Sequence, residues 1–297
     1  MSTNDEWTPP DGNTFSPDGS GTAQPMEEQA YNPTNDMVYV PGRSNEDTAR
    51  VISHATAGTG LLPTWSASGL KDYETCPHRL RLSKVDKVER EEHPAAARGT
   101  AIHDIAECYV KGEWDAIDEA SKPHIQTWEE KIYPRFGTKF DDLRDLFAEA
   151  RVEVEGDWGF NKDWQITGWM ADDVWARMKL DALEWESETS AKVIDYKTGR
   201  KFGNEIAHAT QGMIYAVGTF MRYPSLEFVE TNFWYLDHGE DSPQRYSREQ
   251  AMMFLPRITD RATIMTSDTQ LKPRPTAHNC KWCPYAQNET CDWRHSA

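Results

Sequence analysis

Apolar spacing along this chain switches repeatedly between a helical and a strand period, and each switch predicts a change of element. Residues 66 to 84, SASGLKDYETCPHRLRLSK, carry apolar positions at Leu70, Tyr73, Leu80 and Leu82 behind Ser66 or Ser68, either of which can cap a helix. Pro77 breaks or restarts that helix. From Arg98 to Val110, RGTAIHDIAECYV sets Ile102, Ile105, Ala106 and Tyr109 on one helical side, and His103 and Glu107, four apart, share a face. Residues 113 to 150 read as amphipathic helix without recognisable chemistry, best treated as an insertion or lid over 111–147. The period then shortens. Segments near 148–158, 164–170, 174–185 and 191–196 are rich in Val, Ile, Trp and Met between polar or glycine breaks, which predicts a run of strands. Helical spacing returns over 204–222, with Ile206, Met213, Ile214, Val217 and Phe220 on or near one stripe and Gln211 four residues before Tyr215. A strand near 226–236 and a helix near 247–266 complete the pattern. The order helix, several strands, helix, strand, helix predicts an α/β fold with a central mixed β-sheet flanked by helices.

Composition trims this picture at one end. The first 60 residues include TPPDGNTFSPDGSGTAQP, show almost no apolar periodicity, and hold nine acids against Arg43 and Arg50. Such a segment buries too little apolar surface to offset its ordering entropy, so 1–60 is expected to be a disordered acidic tail and 61–297 the folded domain. No charged and apolar leader opens the chain and no run approaches a membrane span, so a cytoplasmic protein is expected. A net charge of -17 argues against a general nucleic-acid coat, since nonspecific affinity comes from lysine and arginine contacts to phosphate. An enzyme acting on DNA needs only local basic patches. Lys71, Arg79, Arg81, Lys84, Lys87, Arg90 and Arg98 offer one, although six acids in the same window fit a mixed, solvated surface equally well.

The chemistry concentrates in VIDYKTG, residues 193 to 199. A short apolar run stopped by Thr198 and Gly199 reads as a buried strand entering a loop, and residues two apart on a strand point to one face. Asp195 and Lys197 then address one pocket. A carboxylate can hold a hard divalent ion while an ammonium offers positive charge to a phosphate; the alternative is an ordinary solvated charge pair. Five cysteines form a second feature: Cys76, Cys108, Cys280, Cys283 and Cys291. The last three make C-x2-C-x7-C, an odd total argues against a disulfide framework, and Cys76 in its CPH context is the natural fourth ligand of a metal centre. Four thiolates hold either tetrahedral zinc or an iron-sulfur cluster. Cys108, on the apolar side of the helix bearing His103, reads as a buried thiol.

Six segments, SASGLKDYETCPHRLRL, RGTAIHDIAE, MKLDAL around Asp181, VIDYKTG, QGMIY and CKWCPYAQNETC, stand in an order that resembles the RecB-like branch of the PD-(D/E)XK nuclease superfamily. More narrowly, they resemble the stand-alone exonucleases related to CRISPR-associated RecB-like nucleases and to AddB, which carry an iron-sulfur cluster. The resemblance covers roughly residues 64 to 297. It implies a restriction-endonuclease-like core whose C-terminal cysteine cluster is tied back to the N-terminal helical region. It implies that His103, Asp181 and Asp195 are metal ligands, that Lys197 is catalytic, and that Gln211 and Tyr215 line the DNA path and support the site. Cys76, Cys280, Cys283 and Cys291 would hold a [4Fe-4S] cluster, with structural Zn2+ as the alternative. The activity implied is exonucleolytic hydrolysis of DNA ends, single- or double-stranded, in recombination, repair or phage DNA processing. Mg2+ or Mn2+ would sit between Asp181 and Asp195, with His103 and the Tyr196 carbonyl completing its protein ligands. No phosphate loop of the form G-x-x-x-x-G-K-[ST] occurs, so the chain is expected to act alone or with a helicase or recombination partner. The rival reading is a noncatalytic DNA-binding or assembly protein on the same scaffold.

Overall fold

The structure, a computed structural model, describes residues 37–38, 52–53, 56–90, 93–199 and 201–295. The acidic tail expected over 1–60 lies almost entirely outside the described residues. The described residues divide into two compact units: residues 93–158 and 178–253 belong to one, and residues 56–90, 159–177 and 254–295 to the other.

The main helices are α1 (Ala67–Thr75), α2 (Pro77–Leu80), α3 (Pro94–Lys111), α4 (Tyr133–Ala148), α5 (Glu205–Arg222), α6 (Arg248–Met252), α7 (Leu255–Ser267), α8 (Ala277–Lys281) and α9 (Pro284–Gln287). Met37–Val38 and Ile52–Ser53 pair as a separate two-stranded sheet, and the strands of the larger sheet are β1 (Val152–Phe160), β2 (Ile166–Thr167), β3 (Ala176–Ser187), β4 (Ser190–Lys197), β5 (Phe228–Tyr235) and β6 (Glu240–Ser247). They make one six-stranded mixed sheet in the order β2-β1-β3-β4-β5-β6. β3 runs antiparallel to β4 with Ala182 opposite Ile194, and β4 runs parallel to β5 with Asp195 opposite Phe233. A parallel neighbour requires a crossover, and α5 supplies it. The expected mixed sheet flanked by helices, consistent with a restriction-endonuclease-like core, is present.

In the first unit, Ile102 and Ile105 of α3 and Phe136, Phe140 and Leu143 of α4 pack with Ala182, Ile194, Tyr196 and Trp234 of the sheet in one buried cluster. His93 and Pro94 start α3 four residues earlier than its apolar stripe suggests, and Gly112 ends it at φ 73°, a conformation glycine adopts without penalty. The segment read as an insertion or lid belongs to this core: Trp128, Ile132, Phe136 and Phe140 are all at most 2% exposed. α5 lies close on β5, because a Cβ at Gly212 would stand 2.7 Å from Thr231 Oγ1.

In the second unit, Ser66 caps α1 by accepting from the Gly69 N–H at 3.2 Å, and Pro77 opens α2 as the first-turn residue, as the break in apolar spacing predicts. Trp65, Trp164 and Trp175 meet edge to face with ring centroids 5.6–6.0 Å apart. The indole N–H groups of Trp164 and Trp175 donate to Thr259 and Thr266 of α7 at 2.9 and 3.0 Å.

Four expectations need correction. The segment 164–170 contains only the two-residue β2; its apolar signal comes from buried Trp164, whose φ of 60° is incompatible with a continuous strand. Ile206, placed on the buried stripe of α5, is 86% exposed in the helix's first turn. The single helix expected over 247–266 is two, because Pro256 occupies the first turn of α7 and cannot continue α6. β6 was not anticipated at all: EDSPQRYS is polar, carries Pro243, and sits at the sheet edge, where strand signals are weakest.

Candidate active site

The site lies in the first unit, where β3 and β4 meet α3 and α5. Ladder pairing between β3 and β4 runs from Ala182–Ile194 outward, and one residue further the Asp181 side chain replaces the next backbone partner: its Oδ2 accepts the Tyr196 N–H at 2.5 Å. Its Oδ1 stands 3.0 Å from His103 Nδ1, and His103 Nε2 stands 3.0 Å from the Tyr196 carbonyl oxygen. Both ring nitrogens thus face acceptors, as an imidazolium requires. Burial pulls the His103 pKa down, but the charge and hydrogen bond of Asp181, with Asp195 and Glu155 beyond, outweigh it and lift the group from 6.5 to about 9.

Asp195 and Lys197 do share a face of β4, as their spacing predicts, and they form an ion pair. Asp195 is 6% exposed, and burial raises its pKa against the opposing pull of Lys197. The ammonium lies against Asp195 Oδ2, a buried carboxylate oxygen. Gln211 joins the two residues: its Nε2 donates to Asp195 Oδ1 at 3.1 Å and its Oε1 accepts from Lys197 Nζ at 3.1 Å. The same amide nitrogen donates to the Tyr215 hydroxyl at 2.6 Å. Burial, with Asp195 and Asp181 nearby, pushes the Tyr215 phenol well above its usual pKa, so it stays a neutral hydroxyl.

One residue of the site escaped the sequence pattern. Ligand atoms of His103, Glu155 and Asp181 all lie within 4.8 Å of one another. In VEVEG, strand alternation sends Glu153 and Glu155 to the same side as ordinary surface acids. The backbone at Glu155 takes φ 53°, uncommon for a non-glycine residue, and breaks that alternation. Gly156, directly after Glu155, is the one local sign of a break in the strand. Lys179 Nζ pairs with Glu155 Oε2 at 2.6 Å. Glu107, one turn beyond His103 on α3, pairs with Lys111 at 2.6 Å. An imidazole, a carbonyl and three carboxylates suit a hard divalent cation that prefers oxygen and tolerates imidazole.

Three of the seven basic residues between Lys71 and Arg98 are ion-paired. Arg79 pairs with Asp72 at 3.5 Å and Arg81 with Asp86 at 3.2 Å, while Arg98 pairs with Asp237.

In the second unit, Cys76, Cys280, Cys283 and Cys291 line one cavity with His78, Pro273 and Trp293. Cys76 sits between α1 and α2, Cys280 lies in α8, and Cys283 caps α9. All are free thiols. Backbone N–H groups of Arg274 and His295 donate to the sulfurs of Cys76 and Cys280, each at 3.4 Å. Burial, and to a lesser degree the neighbouring Cys283, Cys76 and Cys280, push the Cys291 thiol up. Cys108 is buried in the core of the first unit.

Residues 64–289 match the PD-(D/E)XK nuclease superfamily. A stretch of 51 residues, 17% of this chain, is 41% identical to the Gene 69 protein of Mycobacterium phage L5, and the match spans 18% of that relative's length. The crystal structure of SSO0001 aligns with 78% of this chain and 87% of its own, at a TM-score of 0.38 and 15% identity. No described helix is long and apolar enough to cross a membrane.

Proposed function

The chain belongs to the PD-(D/E)XK nuclease superfamily, and from that membership we propose that it is a Mg2+- or Mn2+-dependent exonuclease of the RecB-like branch, hydrolysing phosphodiester bonds at DNA ends. The observation that carries this reading is the joining of two clusters: His103, Asp181 and Glu155 on one side, and the Asp195, Lys197 and Gln211 relay on the other.

Asp181, Asp195, His103, Glu155 and the Tyr196 carbonyl would hold the cation, which when bound supplies a water of lowered pKa and neutralises phosphate charge. The remaining work falls to this chain's own groups. Lys197, held by Gln211 Oε1, presents its ammonium where charge grows on the phosphate oxygens, a type of contribution worth about 3 to 4 kcal/mol in other enzymes. Gln211 fixes that ammonium and the Asp195 carboxylate in one geometry, and Tyr215 fixes Gln211. The four-cysteine cavity is assigned to a [4Fe-4S] cluster, with four-thiolate zinc as the alternative; free thiols and two N–H···S contacts support either. Phage DNA processing is the favoured setting, given the resemblance to a phage protein over a short stretch.

The test is cleavage of end-labelled linear DNA with and without Mn2+. Wild-type protein should give a ladder from one end, and Lys197→Ala should lose it while remaining folded. Wild-type-like cleavage by folded Lys197→Ala would refute the assignment. Iron and acid-labile sulfide content of protein purified without oxygen separates the cluster from zinc.

A further inference from the structure

Lys179 and Glu155 make an ion pair whose two halves live in different surroundings. The Lys179 side chain is 57% exposed and that of Glu155 is 15% exposed. Glu155 Oε2 accepts the ammonium at 2.6 Å, while its carboxylate also belongs to the group of three ligand-bearing side chains within 4.8 Å. Lys179 precedes Asp181 by two on β3, so both project from the same face of the strand. The arrangement mirrors Asp195 and Lys197 on the antiparallel neighbour β4. Among the described residues Glu155 is the one ion-pair partner of Lys179.

A carboxylate this deep among other carboxylates needs a positive neighbour, and two can serve: an ammonium or a divalent cation. They compete, because each neutralises the same group and they repel one another. Once a cation takes Glu155, the ammonium sits on a flexible, mostly solvated stem without its hydrogen-bonded carboxylate, and Asp157 and Glu107 act on it only through longer-range charge. Charge counting says what replaces the lost partner. Among the directly paired and ligand-bearing groups, Glu155, Asp181 and Asp195 set against Lys179, Lys197 and one divalent cation leave a single positive charge, with His103 neutral as a ligand and Glu107 offset by Lys111. One phosphodiester balances it.

Resting on the nuclease reading, we propose that Lys179 is an exchangeable counter-ion: it holds Glu155 in the metal-free site and, when a divalent cation takes that carboxylate, turns to a phosphate of the DNA substrate. DNA binding and metal binding are thereby coupled through one side chain.

The experiment uses the full chain and two readouts that require no turnover. Mn2+ affinity is measured by calorimetry without DNA. Affinity for a labelled duplex is measured by anisotropy across a salt series, in EDTA and in Ca2+. Lys179→Met keeps the stem and removes the competitor, so it should bind Mn2+ more tightly, by roughly 5-fold for a half-exposed pair. The same variant should lose DNA affinity in Ca2+ but not in EDTA, and its salt slope should fall by about one phosphate contact in Ca2+ alone. Lys179→Arg should retain the wild-type slope. Unchanged or weaker Mn2+ binding in Lys179→Met, or an equal DNA loss with and without cation, would overturn the exchange. Wild-type protein that binds no Mn2+ at all would instead remove the nuclease reading beneath it.

Discussion

Arg98 grips Asp237 with both guanidinium NH groups, at 2.6 and 3.0 Å, and the same guanidinium reaches the Thr198 carbonyl at 3.3 Å. Thr198 directly follows Lys197, so this clamp ties the start of α3 to the backbone at the end of the strand carrying Asp195 and Lys197.

Loosening that clamp should slow the reaction without removing its groups. Arg98→Lys loses the two-pronged fit and keeps the charge. The expectation is a roughly 10-fold fall in kcat, worth about 1.4 kcal/mol, with Mn2+ affinity intact. Asp237→Asn should resemble it, and the double variant should be little worse than either single one. Additive losses in that cycle would mean the two residues act separately.

Gln211 uses its whole amide: the carbonyl accepts from Lys197, and the nitrogen donates to Asp195 and Tyr215. Gln211→Glu trades the donor for a charge and faces Asp195 with a like charge, so it should cost more activity than Gln211→Ala. Tyr215→Phe removes only the outer support and should cost least, about 1 kcal/mol of transition-state stabilisation. Single-turnover rates on linear DNA give the ranking, and a different order would show that Gln211 contacts substrate instead of arranging the ion pair.

At Gly212 a methyl group would approach Thr231 Oγ1 to 2.7 Å and Phe233 Cε2 to 3.1 Å. Gly212→Ala should therefore push α5 from β5 and destabilise the protein by about 1 to 3 kcal/mol, overcoming the gain in helix propensity. Because Gln211 is its neighbour, activity should fall further than stability alone explains. Urea unfolding and rate measurements on the same sample check both; a stabilised Gly212→Ala would show that the helix and strand have room to spare.

Asp260, on α7, is 4% exposed, and its Oδ1 has no hydrogen-bond partner among the described residues. Burial raises its pKa from 3.8 to about 6. A folded pKa above the unfolded one means the folded state favours the protonated acid. Its contribution to stability is full below about pH 4 and is lost as pH rises through 6. Asp260→Asn removes that loss. Its gain in stability should be about 1 to 2 kcal/mol at pH 7.5, discounted for solvent screening, and smaller at pH 5. Thermal melts at the two pH values measure it, and a gain that grows toward pH 5 would contradict the sign.

Much of this protein follows from short-range pattern. The capping serine and Pro77 of α1 and α2, the α3 stripe with His103, and Asp195 with Lys197 on one strand face all depend on spacing of a few residues, which backbone geometry converts directly into shared faces. Spacing marks out Cys280, Cys283 and Cys291 as a group, while Cys76, 204 residues before Cys280, lines the same cavity only through the tertiary fold. What tertiary structure alone decided was wherever the local signal is weak or reversed. Glu155 joins the site through a left-handed backbone angle that alternation cannot show. β6 pairs at an edge where side chains face solvent and hydrophobicity selects nothing. The helices of 128–143 are core because the sheet offers Tyr196 and Trp234 to Phe140, a partner some 50 to 90 residues away in sequence. Spacing along the chain determines which residues share a face; which faces then meet depends on long-range packing.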